Sequence, residues 1–379
     1  MDGVERGTAT QPHLPLAWYH YDAVLAAEQR WLFDAGPRYA GHALMVPRDG
    51  DYVSLAARRH AQLLVRDGGQ ISLMSNVCRH RQALIVEGSG HGKALMCPFH
   101  RWTYRLDGTL ASAPHFPVNP CLHLRRQPLT LWNGLLFEGA RSGGSRHAGA
   151  HGEAARDVSV DLAGFALPPE MDFAGYAYSR TVVDEVNMNW KTFMEVYLDL
   201  YHVGPLHPGL GKFVTCDDLQ WQFGERYSLQ SVAYRPSKTR SAVYARWQAR
   251  VDAIYGRAGP QRGAMWFAYY PNVMVEWYPL MLIVSVVYPR SPTQTTNVIE
   301  FFHPQSLLAH DPSLADDVQA AYLETAREDA VFGERIDRGR AALRAEGRFD
   351  RGPFQSPMED GLPHFFNYLR NELRGRLPG

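Results

Sequence analysis

Two short stretches in the first third of the chain carry thiol and imidazole side chains at ligand spacing. They are Cys78-Arg79-His80 and, after sixteen intervening residues, Cys97-Pro98-Phe99-His100. In each, a Cys and a His two or three residues apart can converge on one metal. A Cys₂His₂ set takes zinc. It also takes an iron–sulfur cluster in which His replaces Cys on one iron, which lowers the cluster's negative charge and raises its potential to roughly −150 to +300 mV. A ββα zinc finger needs a helix and a later His pair, whereas residues 81–96 carry turn residues, so the cluster is the better reading. A second constellation follows about a hundred residues on: Glu195, Asp199, His202 and His207. The i, i+4, i+7 spacing of the first three predicts one face of a helix over 190–203. Gly204 and Pro205 then end that helix and let His207 turn back toward His202. Two His and one carboxylate leave coordination positions open, the arrangement used by non-haem Fe(II) for O₂ chemistry.

The elements that position these residues divide the chain by texture. Residues 18–36 have helical spacing. From Tyr39 to about Glu138, short apolar runs (61–65, 71–74, 94–97, 129–138) are separated by Gly, Asp and Pro, as in a small antiparallel β domain. Gly88-Ser89-Gly90-His91-Gly92-Lys93 lacks phosphate-loop spacing and reads as a turn. Residues 140–156 read as a linker, with His147 and His151 solvated. Beyond it, 227–234, 264–278, 280–288 and 295–303 read as strands, with bends at 269–272 and 288–292. Residues 311–345 and 363–373 read as helices. The domains expected are 1–38, an N-terminal segment packing on the catalytic domain; 39–160, the cluster domain; and 161–379, the catalytic domain.

Composition excludes several classes. The chain has 39 basic and 39 acidic residues, so nothing draws it to nucleic acid or an anionic surface. No apolar run has the length of a membrane span, and the polar N-terminus lacks a secretory core. A cytoplasmic location is expected. Four cysteines in 379 residues do not make a disulfide scaffold; Cys121 and Cys216 read as small buried hydrophobes.

The stretch NVCRHRQALIVEGSGHGKALMCPFHRWTYRLDGTLASAP resembles the Rieske domain of ring-hydroxylating oxygenases. NWKTFMEVYLDLYHVGPLHPGL resembles the mononuclear-iron motif of the same family. The resemblance implies a [2Fe–2S] cluster on Cys78, His80, Cys97 and His100. It implies a mononuclear non-haem Fe(II) on His202, His207 and a carboxylate from a late helix, Asp329, with Glu328 as its nearest rival. Arg101 departs from the family's usual Gly; it leaves the ligands in place and alters local packing or partner docking. The implied fold class is α+β: a small antiparallel Rieske domain plus a helix-grip, START-like domain whose curved antiparallel sheet surrounds a long helix. Asp199 is implied to be an electron bridge between His202 and the cluster His100 of a neighbouring subunit, in a homotrimer. No reductase domain is attached, so an external reductase or ferredoxin is expected.

The implied activity is that of a terminal oxygenase using O₂ on an aromatic or related small organic substrate. The alternatives are a monooxygenase or demethylase of a quaternary amine of the choline, betaine or carnitine type, and an electron carrier with a vestigial second site. Aromatic residues crowd the second half: Trp221, Tyr234, Tyr244, Trp247, Trp266, Phe267, Tyr269, Tyr270, Trp277 and Tyr278. Some suit an aromatic ring and some a cation–π cage, but for any one of them the sheet core is the default.

Overall fold

The computed structural model describes residues 13–55, 61–139, 156–256 and 258–377. Residues 140–155, which include His147 and His151, lie outside them. The chain divides into two compact units: Met1–Phe33 with Gly164–Gly379, and Asp34–Ala163. No helix among the described residues is long and apolar enough to cross a membrane.

Among its described residues, the Asp34–Ala163 unit is built from three antiparallel sheets. Its five-stranded sheet runs, edge to edge, Ser89–His91, Asp51–Ser54, Gln62–Asp67, Gln70–Ser75 and Arg126–Gln127. The predicted turn at 88–93 therefore contains an edge strand. Its His91 Nδ1 lies 2.9 Å from Asp51 Oδ1. The predicted run 129–138 is a hairpin, Leu129–Trp132 and Leu135–Glu138. Its two-residue loop is Asn133-Gly134, both at positive φ, the backbone that matches strand twist and that Asn and Gly adopt most readily. A third small sheet, Ala94–Met96, Thr103–Arg105 and Leu110–Ser112, stands beside a core formed by Leu63, Val65, Met74, Cys78, Cys97, Trp102 and Tyr104.

The larger unit holds a seven-stranded antiparallel sheet. Its order is Tyr176–Val186, Gln294–Pro304, Met281–Ser291, Val273–Tyr278, Arg262–Tyr269, Tyr227–Tyr234 and Val214–Phe223. The predicted bend at 288–292 falls later than expected: the strand continues through Pro289, paired with Thr295, to Ser291. The long helix Ser313–Ala345 packs Leu314, Val318 and Ala321 among Ile283, Ile299 and Phe301 of the sheet. The helix Ala242–Tyr255, which was not anticipated, adds Tyr244, Trp247 and Val251 to the same core.

A polar lock fixes the long helix against the sheet. His303 Nδ1 donates to the Leu280 carbonyl at 2.9 Å, so its Nε2 accepts from Gln319 Nε2 at 2.8 Å. Gln319 also donates to Ser179 Oγ. Burial pushes the His303 imidazole down to about 4.

The helix predicted over 190–203 is two helices, Trp190–Leu198 and Val203–Leu206. Asp199 breaks it. Its Oδ1 accepts the Tyr201 N–H at 2.6 Å and lies 3.4 Å from the His202 N–H, a local bond that competes with helical pairing. Gly204 and Pro205 lie inside the second helix and do not end the first. Glu195, grouped with the metal-site residues by spacing, is tied instead to Tyr19 Oη at 2.5 Å and to Arg340. The first helix is pinned further by Lys191 Nζ and Trp190 Nε1, which donate to the two oxygens of buried Glu28 at 2.7 and 2.8 Å. That carboxylate is buried with two donors, one of them a cation, the condition under which burial is tolerable.

Candidate metal centres and the pocket beside one of them

The two predicted cluster loops are built alike. Cys78 N–H donates to the Ala83 carbonyl and Cys97 N–H to the Trp102 carbonyl. Four residues after each Cys, Gln82 and Arg101 return their N–H to that Cys carbonyl. Both take left-handed φ, 62° and 61°, a conformation that costs a non-Gly residue roughly 1–2 kcal/mol. Arg101 therefore occupies a position whose backbone suits Gly, and Gln82 does the same in the other loop. Cys78 and Cys97 are buried, and the His80 and His100 rings lie 4.7 Å apart. His80 stacks on Trp102 at 4.9 Å. Tyr104 Oη lies 3.4 Å from Cys78 Sγ. Burial pushes the Cys97 thiol up, against the Phe99 and His100 N–H groups that point at its sulfur. Two buried sulfurs, two adjacent imidazoles and a buried His80 Nδ1 without a hydrogen-bond partner fit a cluster. Cys121, read as buried, is exposed; Cys216 is half-buried.

In the larger unit, the ligand atoms of His202, His207 and Asp329 all lie within 4.8 Å of one another. Asp329 Oδ1 is 3.3 Å from His202 Nε2 and 3.0 Å from His207 Nε2. The opposite nitrogens face other carboxylates: His202 Nδ1 meets Asp199 Oδ2 at 3.1 Å, and His207 Nδ1 meets Glu328 Oε2 at 2.7 Å. A carboxylate only accepts, so each Nδ1 carries a proton, and each Nε2, turned toward Asp329, is the nitrogen whose lone pair a metal would take once its own proton is displaced. Adjacent residues on a helix point about 100° apart. That separates the roles of the two acids on the long helix: Asp329 reaches both Nε2 atoms, and Glu328 stands behind His207.

Charge at this site is balanced by protons. Burial pulls the His202 imidazole down, but the Asp199 and Asp329 carboxylates outweigh it and hold it at about 9. His207 is likewise raised against burial by Asp329 and Glu328. Burial pushes the Asp329 carboxyl up, yet the two His hold it below its ordinary value. His207 Nε2 and Asp329 Oδ1 are both buried and make no aligned hydrogen bond despite their proximity. Such a donor set fits a divalent iron, which would displace the protons.

A cavity enclosing about 80 Å³ of water-sized space opens beside these three residues. Trp266, Glu276, Tyr278, Tyr322, Asp184, Asn297 and Ser285 are among the side chains lining it. Of the ten aromatics singled out in the sequence, Trp266 and Tyr278 reach it; Phe193, Tyr197 and Tyr322, which were not singled out, do as well. Glu276 was also missed. Its signal is an acid inside the otherwise apolar strand Val273–Tyr278, whose six residues are all buried.

Residues 38–123 match the family described as the Rieske [2Fe-2S] domain, and residues 173–375 match the ring hydroxylating alpha subunit (catalytic domain). The chain is 46% identical over 366 residues to the putrescine 2-hydroxylase of Ralstonia nicotianae, covering 96% of each protein. It is 42% identical over 377 residues to the putrescine 2-hydroxylase of Bordetella bronchiseptica, covering 95% of this chain and 84% of that one. A solved quaternary ammonium Rieske monooxygenase superposes with a TM-score of 0.77, covering 98% of this chain and 100% of that one, at 21% identity; that likeness is one of fold.

Proposed function

The chain belongs to the Rieske-type ring-hydroxylating oxygenases, as a terminal alpha subunit, and from that premise we propose that it hydroxylates a short aliphatic diamine. A [2Fe–2S] cluster and a mononuclear iron are its cofactors. O₂, an organic substrate and electrons from a reductase system are its co-reactants. In the proposed reaction one C–H becomes C–OH and the second oxygen leaves as water, with two electrons and two protons supplied from outside.

The observation that carries the substrate class is the charge of the pocket. Its lining has Asp184 and Glu276 in addition to the metal-site acids, and no Lys or Arg among the described residues. A lining of that sign selects cations, and the near-full-length likeness to two putrescine 2-hydroxylases agrees with it. The enclosed space, several waters' worth, suits a short chain better than a fused ring system. The electron-carrier alternative is set aside, because oxygen-inserting relatives match along nearly the whole chain.

Iron held by His202, His207 and Asp329 would supply reductive activation of O₂, fed with electrons from the cluster on Cys78, His80, Cys97 and His100. The protein's part is positional. Asp199 and Glu328 fix the two imidazoles in the tautomer that offers Nε2. Leu200, Val203, Leu210 and Met188, all buried, wall the cavity from water. Asp199 is also assigned as the electron bridge. Its carboxylate binds His202 yet its side chain keeps 22% exposure, which leaves it open to His100 of a second copy in a homotrimer. Residues 39–160 and 161–379 are taken as the cluster and catalytic domains, and a cytoplasmic setting agrees with four unpaired cysteines.

The test is a substrate panel with a surrogate reductase, reading O₂ uptake and product mass together. Putrescine should trigger uptake and gain one atom from labelled O₂. Turnover of benzoate or choline with none of putrescine would overturn the proposal.

A further inference from the structure

Glu276 is a buried carboxylate, 3% exposed, with no Lys, Arg or His in ion-pair reach among the described residues. Its two oxygens each accept one phenol: Oε2 from Tyr278 at 2.9 Å and Oε1 from Tyr322 at 3.0 Å. Tyr278 in turn accepts the Trp266 indole N–H at 2.7 Å. All four side chains line the cavity beside the metal ligands. The arrangement positions a carboxylate and gives its charge no counter-ion among the described residues, a situation unfavourable for a buried ion. Burial pushes its carboxyl up to about 7, against the two phenols. Asp184 lines the same cavity but is only half-buried, so water can solvate it.

We propose that Glu276 is a specificity-determining residue: it binds the ammonium group of the substrate farther from the metal, inside an aromatic wall of Trp266, Tyr278 and Tyr322. This rests on the diamine reading above and adds to it the end-group and the length that the site selects. An ammonium offers three donors, and a carboxylate with one phenol on each oxygen keeps a lone pair on each for them. The aromatic faces add cation–π attraction. Length follows from the long helix: Tyr322, which holds Glu276, and Asp329 are seven residues apart, ~10 Å along the axis. That is the scale of a short extended diamine whose far nitrogen is hydrogen-bonded and whose inner carbons approach the ligand cluster.

The test compares holoenzyme and its Glu276→Gln variant, with binding of putrescine and of butane-1,4-diol measured by calorimetry and steady-state KM measured alongside. The wild-type protein should prefer the diamine. In Glu276→Gln that preference should fall about 30- to 100-fold, with KM rising more than kcat falls and the cluster absorption unchanged. A second variant, Glu276→Asp, withdraws the carboxylate by one methylene and should move the preferred diamine from four carbons toward five. If the wild-type protein neither binds nor oxidises diamines, the substrate reading fails and this inference with it. If it does both, and folded Glu276→Gln keeps its preference within threefold, the anchor alone is refuted. Should Glu276→Gln fail to fold, an unaltered length preference in Glu276→Asp refutes it equally.

Discussion

At the scale of single residues, the two imidazoles proposed to hold iron are each held from behind by a partly exposed acid, but the imidazoles themselves differ in exposure. Glu328 faces the fully buried side chain of His207, whereas Asp199 and His202 both keep about a fifth of their side-chain surface open. An acid paired with a partly open imidazole can face a second copy together with it, as the pair built on buried His207 cannot. Asp199→Ala should keep the cluster's absorption and EPR signal and lose turnover by at least about 100-fold, an expectation scaled from the loss of an orienting carboxylate. Ordinary turnover in that variant would remove Asp199 from the electron route. The residue types of both sites were legible because thiols and imidazoles at ligand spacing have few other uses. The division of labour between Asp329 and Glu328 was not, since neighbours in sequence differ only by rotation about a helix that the sequence does not orient.

Elements explain where the linear reading went astray. The apolar periodicity of 190–203 continues through a break that one side-chain hydrogen bond creates at Asp199, so spacing alone predicted a continuous helix. The helix Ala242–Tyr255 carries a readable signal, the Ser241 cap bonding Tyr244 N–H and Tyr244, Trp247 and Val251 at helical intervals, but in sequence its aromatics suit a pocket wall as well as a helix core. The strands at 227–234 and 295–303 were readable because aromatic and β-branched residues (Tyr227, Val232 and Tyr234; Thr295, Thr296, Val298, Ile299, Phe301 and Phe302) fill runs of strand length. The lock between sheet and long helix makes an element-scale prediction. His303 is depressed by burial to about 4. Above the ordinary imidazole value near 6.5 both folded and unfolded chains are neutral there, and its contribution is complete. As pH falls from about 6.5 to 4, the unfolded chain takes a proton that the folded one refuses, so stability falls, by on the order of 3 kcal/mol. Urea unfolding across that range should show a shallower slope for His303→Asn than for the wild-type protein; equal slopes would count against the lock.

At the scale of the whole molecule, the proposed ligand sets assign the two units different numbers of irons, and counting separates them. The holoprotein should contain three irons per chain. Asp329→Ala should retain two, with an intact cluster spectrum, while Glu328→Gln should reach three only at iron concentrations about 10- to 100-fold higher. Loss of the third iron in Glu328→Gln but not in Asp329→Ala would exchange the roles assigned to them. Glu276 stands opposite Trp266 on one side and Ile283 on the other, with Val275 and Trp277 as its neighbours along the strand. Side chains on a strand alternate faces, so a register slip of one residue exchanges the whole set. A one-residue deletion in Val273–Tyr278 would turn an acid-floored chamber into a hydrocarbon-floored one while every metal ligand kept its place. Substrate chemistry and oxygen chemistry are thus separately heritable in this scaffold, the first written in the phase of a strand and the second in the face of a helix.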